Sequence, residues 1–238
     1  MQINTVSTVE NISTEHVNGR TVIVIDVLRA SSTIVTALDS GFASIIPVRT
    51  ADRALSLRSL NTVIAGEWHL KKFDGFDYNN SPTDLKKKDH TGKHLVLITT
   101  NGTKAIEKAA QAERLLIGCF LNVSACVKEA IIQNSDITIY CAGTRNEFAF
   151  EDGLAAGMMV HLLKKQAASI ETCDFSDAME ACFLQLAHQL PKLLFTTTTG
   201  KRLVENQYGE DIQYCSQIDL SQIVPILKGN RILSLSDT

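Results

Sequence analysis

The chain has 238 residues, 45% apolar and 21% charged, with a formal net charge of −3. That apolar content supports a sizeable core and excludes global disorder. The near balance of charge, with "LKKKD" (85–89) as the one lysine cluster, excludes a nucleic-acid binder held by a basic surface.

The N-terminal "MQINTVSTVENISTEH" lacks the apolar segment of a secretion signal, and no later run reaches the roughly 18–20 residues of a membrane helix. The first strong strand signal is "TVIVIDV" (21–27), followed by a helical pattern over 31–40. Shorter apolar runs at 43–48 and 61–66 flank a helix expected at 51–59. "HLVLITT" (94–100), "RLLIGC" (114–119) and "ITIYCAG" (137–143) continue the series, with helices expected at 103–112, 122–133 and 151–168. Strand and helix alternate, and the strands are apolar on both faces. This predicts an α/β fold, three layers as α/β/α around a largely parallel, possibly mixed, sheet. One domain over 1–238 is expected, its last part (about 170–238) mostly helical, with helices at 176–189 and 217–228 and a looped patch at 196–215. This last part could cover the sheet, shape the pocket or build a homodimer contact.

Three strands end in polar turns that open helices. "DVLRASST" (26–33) places Asp26 at a strand exit, with Arg29 as a planar fork of donors for an oxyanion. Ser31, Ser32 and Thr33 then lie at a helix N-terminus, where free N–H groups favour anions. A plain helix cap with a local Asp–Arg pair explains the same residues. "TTNGTKA" (99–105) offers Thr100, Asn101, Gly102 and Thr103 as neutral donors around a turn where backbone amides can approach a ligand. An ordinary βα turn is the structural alternative. "CAGTRNEFAFEDGLAAG" (141–157) gives a third turn at Gly143 and Thr144, then Glu151 and Asp152 at a helix start. Acids there are explained either by the helix dipole or by a bound metal. If the sheet is parallel, all three turns share its carboxyl edge, where ligands of such folds bind.

The segment "GEWHLKKFDGFDYNNSP" (66–82) concentrates Glu67, Asp74, Asp77, Asn80 and Ser81 among four aromatic residues. Oxygen ligands of this kind suit a hard cation such as Mg²⁺. The aromatics point to a packed lid rather than a solvated loop. Six histidines show no metal-binding spacing, with His69 the one placed in this loop. Six cysteines show no C-x-x-C pair, and no P-loop or G-x-G-x-x-G is present. The cysteine pattern and the missing signal lead us to expect reduced thiols in a cytoplasmic protein.

The ordered set "DVLRASST", "GE" (66–67), "GFDYNNSP", "TTNGTKA", "CAGT" and "FEDGLAAG" resembles the 2-phosphosulfolactate phosphatases, from about residue 20 to 160 and more faintly at "GEDIQYC" (209–215). The resemblance implies a cytoplasmic, Mg²⁺-dependent phosphatase that converts 2-phospho-3-sulfolactate to sulfolactate, a precursor of coenzyme M in methanogens. It implies a small anionic phosphorylated substrate as the partner, with no nucleic acid or membrane. Carried over, Asp26, Arg29 and Asn101 would be catalytic. Arg29, Ser31, Ser32, Asn80, Ser81, Thr100, Asn101, Gly102, Thr103, Gly143 and Thr144 would bind substrate, and Glu67, Asp77, Glu151 and Asp152 would hold the metal. "WHLKK" after Glu67 is bulkier than the family pattern, and "DYNNSP" replaces a more usual Leu-Gly before Asn-Ser-Pro, which bears on substrate preference.

Asp26 would be either nucleophile or general base. Leu28 breaks the D-x-D-x-T pattern of aspartyl-phosphate enzymes, which favours water activated by the metal. Two rival readings stand beside this one. An isochorismatase-like hydrolase would use Asp26, Lys93 or Lys104, and Cys141 as a thiol nucleophile. A non-enzymatic module would bind a phosphorylated or sulfonated acid without turnover.

Overall fold

The computed structural model describes residues 1–166 and 169–237. All six apolar runs form strands, and an unforeseen strand precedes them. In chain order they are β1 (Gln2–Val6), β2 (Thr21–Ile25), β3 (Ser44–Pro47), β4 (Thr62–Trp68), β5 (Lys71–Lys72), β6 (His94–Ile98), β7 (Arg114–Gly118) and β8 (Ile137–Cys141). The short β9 (Glu171–Thr172) and a hairpin of β10 (Pro225–Lys228) and β11 (Arg231–Ser234) follow. The helices are α1 (Ala30–Asp39), α2 (Ala51–Ser56), α3 (Pro82–Leu85), α4 (Gly102–Lys108), α5 (Val123–Ile132) and α6 (Phe150–Gln166). The C-terminal part adds α7 (Asp174–Leu186), α8 (Lys192–Thr196), α9 (Thr198–Glu205) and α10 (Gly209–Cys215). The helix expected at 151–168 is seen to Gln166; residues 167 and 168 lie outside the described residues.

The strands form one sheet in the order β5-β4-β6-β3-β11-β10-β7-β2-β8-β1-β9. Both faces are covered, as the unbroken apolar runs require. Ile23 and Ile25 of β2 face a core that includes residues of α5, α6 and α7. Val22 and Val24 face a second core that includes residues of α1 and α4. The result is an α/β fold with helices on both sides of a mostly parallel, mixed sheet. Close helix approach is built in at Gly157, where a Cβ would fall 2.0 Å from the Met179 carbonyl oxygen of α7.

Two expectations change here. Residues 217–228 do not form a helix; they lead into β10, whose partner β11 follows the two-residue turn Gly229-Asn230. This hairpin joins two parallel groups. β10 is antiparallel to β7, β11 to β10, and β3 to β11, so β3, β6 and β4 run against β7, β2, β8 and β1. The three polar turns therefore do not share a single parallel edge. They meet because the sheet curls. Twist of roughly 20–25° per strand, over the five steps from β6 to β2, carries one group round toward the other. α1, buried from Ala30 to Leu38, packs against β3, β7 and β10, and α4 reaches β2.

Beside this core, His90 is buried with neither ring nitrogen hydrogen-bonded, 4.9 Å from the Phe42 ring and 5.5 Å from that of Tyr78. Burial holds its pKa below the usual 6.5; Lys93 and Lys88 act the same way, against Asp89 and Asp77. The folded state thus favours the neutral ring. Its contribution to stability is complete above the unfolded value, near 6.5, and is lost as pH falls below it. Between pH 7.5 and pH 5, the urea midpoint of the native protein is expected to fall relative to that of His90→Phe. Parallel midpoints would show that the ring protonates freely in the folded protein.

Candidate active site

Asp26 leaves β2 and turns directly into α1. Its Oδ1 accepts from the Ala30 N–H (3.1 Å), and its carbonyl accepts from the Ser31 N–H (2.9 Å). The capping role and the exposure to a cleft coexist: Asp26 lines a cleft that is open at its mouth. Gly102 abuts it across the curl. A Cβ there would sit 2.7 Å from Asp26 Oδ2 and 2.3 Å from the Ala30 Cβ. Glycine is what allows α4 and α1 to meet at this point.

The cleft gathers the ends of β2, β4, β6 and β8. Glu67, at the end of β4, accepts from the Leu70 N–H (2.6 Å) with one oxygen, and from the Thr100 N–H (2.8 Å) and hydroxyl (2.9 Å) with the other. Asn101 donates through its side-chain amide to the Gly143 carbonyl (3.0 Å), tying the β6 turn to the β8 turn. Asp152, in the first turn of α6, accepts from the Val27 N–H (2.8 Å) and the Gly143 N–H (3.1 Å). Two turns form the rim. His69 and Leu70 (φ 52° and 72°) link β4 to β5, and Arg145 and Asn146 (φ 52° and 64°) span the Thr144–Glu147 bridge. Non-glycine residues are disfavoured in the left-handed region that such two-residue turns require. Glu67 holds the first turn at Leu70, and paired 2.9 Å backbone bonds between Thr144 and Glu147 hold the second.

The electrostatics are unusual. Burial, with Glu67 and Glu151 adding to it, pushes Asp26 up to about 7 against the Ala30 N–H. Burial also raises Glu151, against the hydroxyls of Thr199 and Thr197. Asp152 lies well above the carboxylate range through burial, then through Asp26 and Glu151. Four acids share the cleft with three guanidiniums. One of these, Arg29, is already neutralised: its Nη1 donates to Asp211 of α10 at 2.5 Å, with both side chains fully buried. Its Nη2 donates to Asn79 (3.2 Å), and the Tyr208 ring lies 4.2 Å from its Cζ.

The donor set fits a hard divalent cation. Asn80 lines the cleft, and its buried Oδ1 has no hydrogen-bond partner among the described residues. The crowded carboxylates are oxygen donors whose mutual repulsion a cation relieves. Among the described residues no three acidic, histidine or cysteine side chains form a ready ligand group. Mg²⁺ characteristically takes one or two carboxylates and completes its shell with water and phosphate oxygens.

Several predicted site residues lie elsewhere. Asp77 is exposed, bonded to Arg58 (3.2 Å) and to the Ile64 N–H (2.8 Å) on the far side of β4, and does not reach the cleft. The hydroxyls of Ser31, Ser32 and Thr103 donate to the carbonyls of Val24, Val27 and Thr99, and Ser81 donates to Asp211. These four, with Gly102, build the turns behind the cleft and do not line it. Asp26, Arg29, Glu67, Asn80, Thr100, Asn101, Gly143, Thr144, Glu151 and Asp152 do line it. The segment expected to be looped at 196–215 is mostly helical, and its Thr199 and Arg202, with Arg145, were missed. A basic residue on a strongly amphipathic helix was the available signal. Cys141 is fully buried in the core, its thiol pushed well above the usual value by burial and then by Asp152 and Glu151. Lys104 is paired with Glu10. A thiol nucleophile needs the opposite environment.

A family model described as 2-phosphosulpholactate phosphatase matches residues 6–230. The chain belongs to this family. It is 40% identical over 211 residues to a probable 2-phosphosulfolactate phosphatase of Thermotoga petrophila, covering 89% of this chain and 90% of that protein. A probable 2-phosphosulfolactate phosphatase of Caldanaerobacter subterraneus subsp. tengcongensis is 36% identical over the whole of both chains, and one of Clostridium acetobutylicum 30% identical over 98% of this chain and 100% of that one. The chain is accordingly an enzyme of the phosphoric monoester hydrolase class. No helix among the described residues is long and apolar enough to cross a membrane.

Proposed function

We propose that this enzyme hydrolyses 2-phospho-3-sulfolactate, or a closely similar phosphorylated 2-hydroxy acid, and that it requires Mg²⁺. The observation that carries the reading is the charge balance of the cleft. Its four acids outnumber its two unneutralised guanidiniums, and burial and mutual repulsion raise three of those acids, so a divalent cation that enters with a polyanionic substrate would relieve them. Glu67, Glu151 and the Asn80 oxygen are the groups that would hold Mg²⁺, which would supply charge neutralisation to the phosphate oxygens, while Asp26 stays free as the base.

Asp26 acts as general base: a carboxylate with a pKa near 7 is tuned to take the proton of an attacking water at neutral pH. Water oxygen bonds to phosphorus as the phosphorus–alkoxide bond breaks, and the departing alkoxide takes a proton from solvent at the open mouth. Arg29, aimed by Asp211, orients the phosphate. Asn101 fixes the β6 and β8 turns relative to each other and so keeps Asp152 and Asp26 in register. Phosphate release from a panel of phosphorylated 2-hydroxy acids, with Mg²⁺ and with EDTA, tests this. Turnover of 2-phospho-3-sulfolactate in Mg²⁺ and its loss in EDTA are expected. Full activity in EDTA would overturn the metal requirement, and a trapped phosphoenzyme on Asp26 would overturn the general-base role.

A further inference from the structure

The acids and Arg29 account for the floor of the cleft, but two guanidiniums at its mouth are left, among the described residues, without an ion-pair partner. Arg145 sits on the rigid Thr144–Glu147 turn, and Arg202 is half-buried on α9. Both line the cleft. Among the described residues, neither guanidinium joins an ion pair or a side-chain hydrogen bond. They are near enough to oppose each other: Arg202 is held below the usual arginine value by burial first and by Arg145 second, against Glu67 and Glu205. Neither acid forms an ion pair with Arg202, so two cations, one exposed and one half-buried, share the wall and are relieved by an anion.

The shape of that anion follows from the arrangement. A single fork saturates a planar carboxylate with two parallel bonds. Two forks arriving from different elements match a tetrahedral group with three oxygens. The acid-rich floor and Asn80 are reserved for the phosphate and its cation, so this group must be a different one on the same small molecule. We infer that Arg145 and Arg202 form a second anion subsite that grips a sulfonate and thereby sets substrate preference. The inference rests on the phosphatase reading for the phosphate end, but the subsite can be measured without turnover.

Calorimetric titration of 3-sulfolactate, isethionate, lactate and inorganic phosphate, in Mg²⁺, into the native enzyme, Arg145→Ala and Arg202→Ala tests it. Both side chains lie at the cleft surface, so the variants are expected to fold, which their melting temperatures check. Affinity for 3-sulfolactate and isethionate should fall about 10–100-fold, the worth of a charged hydrogen-bonding group, and affinity for lactate and phosphate far less. The ratio of kcat/KM for 2-phospho-3-sulfolactate over 2-phospholactate should fall about tenfold or more. Lactate losing as much as isethionate would assign the pair to a carboxylate. Phosphate losing as much would assign it to the phosphate end, and unchanged affinities would remove the subsite altogether; each of these overturns the proposal. If the native enzyme binds 3-sulfolactate through the pair yet releases phosphate from neither ester, the subsite stands and the phosphatase reading falls.

Discussion

Asp26→Asn is expected to lower turnover by about 10³-fold and, at pH 8 without metal, to raise the melting temperature. The two effects share one cause. Asp26 is buried beside Glu67 and Glu151, which lifts its pKa to about 7, above the value near 3.9 of an unfolded chain. A carboxyl group raised in this way contributes most to stability below the unfolded value, and that contribution is lost as pH rises through the folded one. At pH 8 the folded enzyme therefore carries a charge it would shed if it could, at a cost of a few kcal/mol. Asparagine keeps the oxygen that caps Ala30, removes the charge, and removes the base. The melting temperatures of the two proteins should converge toward pH 4. Mg²⁺ should raise the native protein's melting temperature more than the variant's, because a ligand stabilises the state it binds. Turnover within tenfold of native, or a lower melting temperature at pH 8, would show that the carboxylate is neither base nor burden.

What the sequence disclosed and what it hid divide along physical lines. Strands buried on both faces announce themselves by unbroken β-branched runs, so β2, β6 and β8 were legible. Each turn after them fits an ordinary cap or βα turn on its own; they were legible as a site because three such polar turns follow buried strands. β1 was not, because "QINTV" is half polar and gains its place by pairing with β8. The hairpin β10–β11 carried a usable signal in "ILKGNRIL", where Lys-Gly-Asn-Arg separates two apolar pairs. Its isoleucines and leucines also fit a helix, and the sense reversal it imposes on the sheet has no local signature. Asp77 shows the limit of reading acids in a loop: composition marks it as a ligand, and only the path of the chain hands it to Arg58. Arg202 and Asp211 were hidden for the converse reason, since a helix far along the chain must fold back before either can face Arg29 or the cleft mouth.

Asp211 is where that folding back has its largest expected consequence. Beyond Arg29, it accepts from the hydroxyls of Ser81 (2.9 Å) and Thr83 (2.7 Å) and from the Thr83 N–H (3.2 Å). α10 is thus tied to the start of α3 and to the first turn of the site. Asp211→Ala leaves the Arg29 guanidinium buried without a counter-ion, and a loss of about 3–5 kcal/mol is expected, read as a melting temperature lowered by roughly 10 °C. Asp211→Asn preserves the acceptor for Ser81 and Thr83 but not the charge. It should fold, with kcat/KM reduced about 10²-fold, mostly through KM, because a misaimed Arg29 weakens phosphate binding. Arg29→Lys should not restore function in either background, since an ammonium cannot reach Asp211 and Asn79 as a fork does. A double-mutant cycle separates positioning from mere support. If Asp211 acts through Arg29, Arg29→Ala combined with Asp211→Asn costs no more activity than Arg29→Ala alone. The pair of changes should also be more stable than Arg29→Ala, which strands a buried carboxylate. Additive losses of activity would mean that Asp211 serves the site by another route.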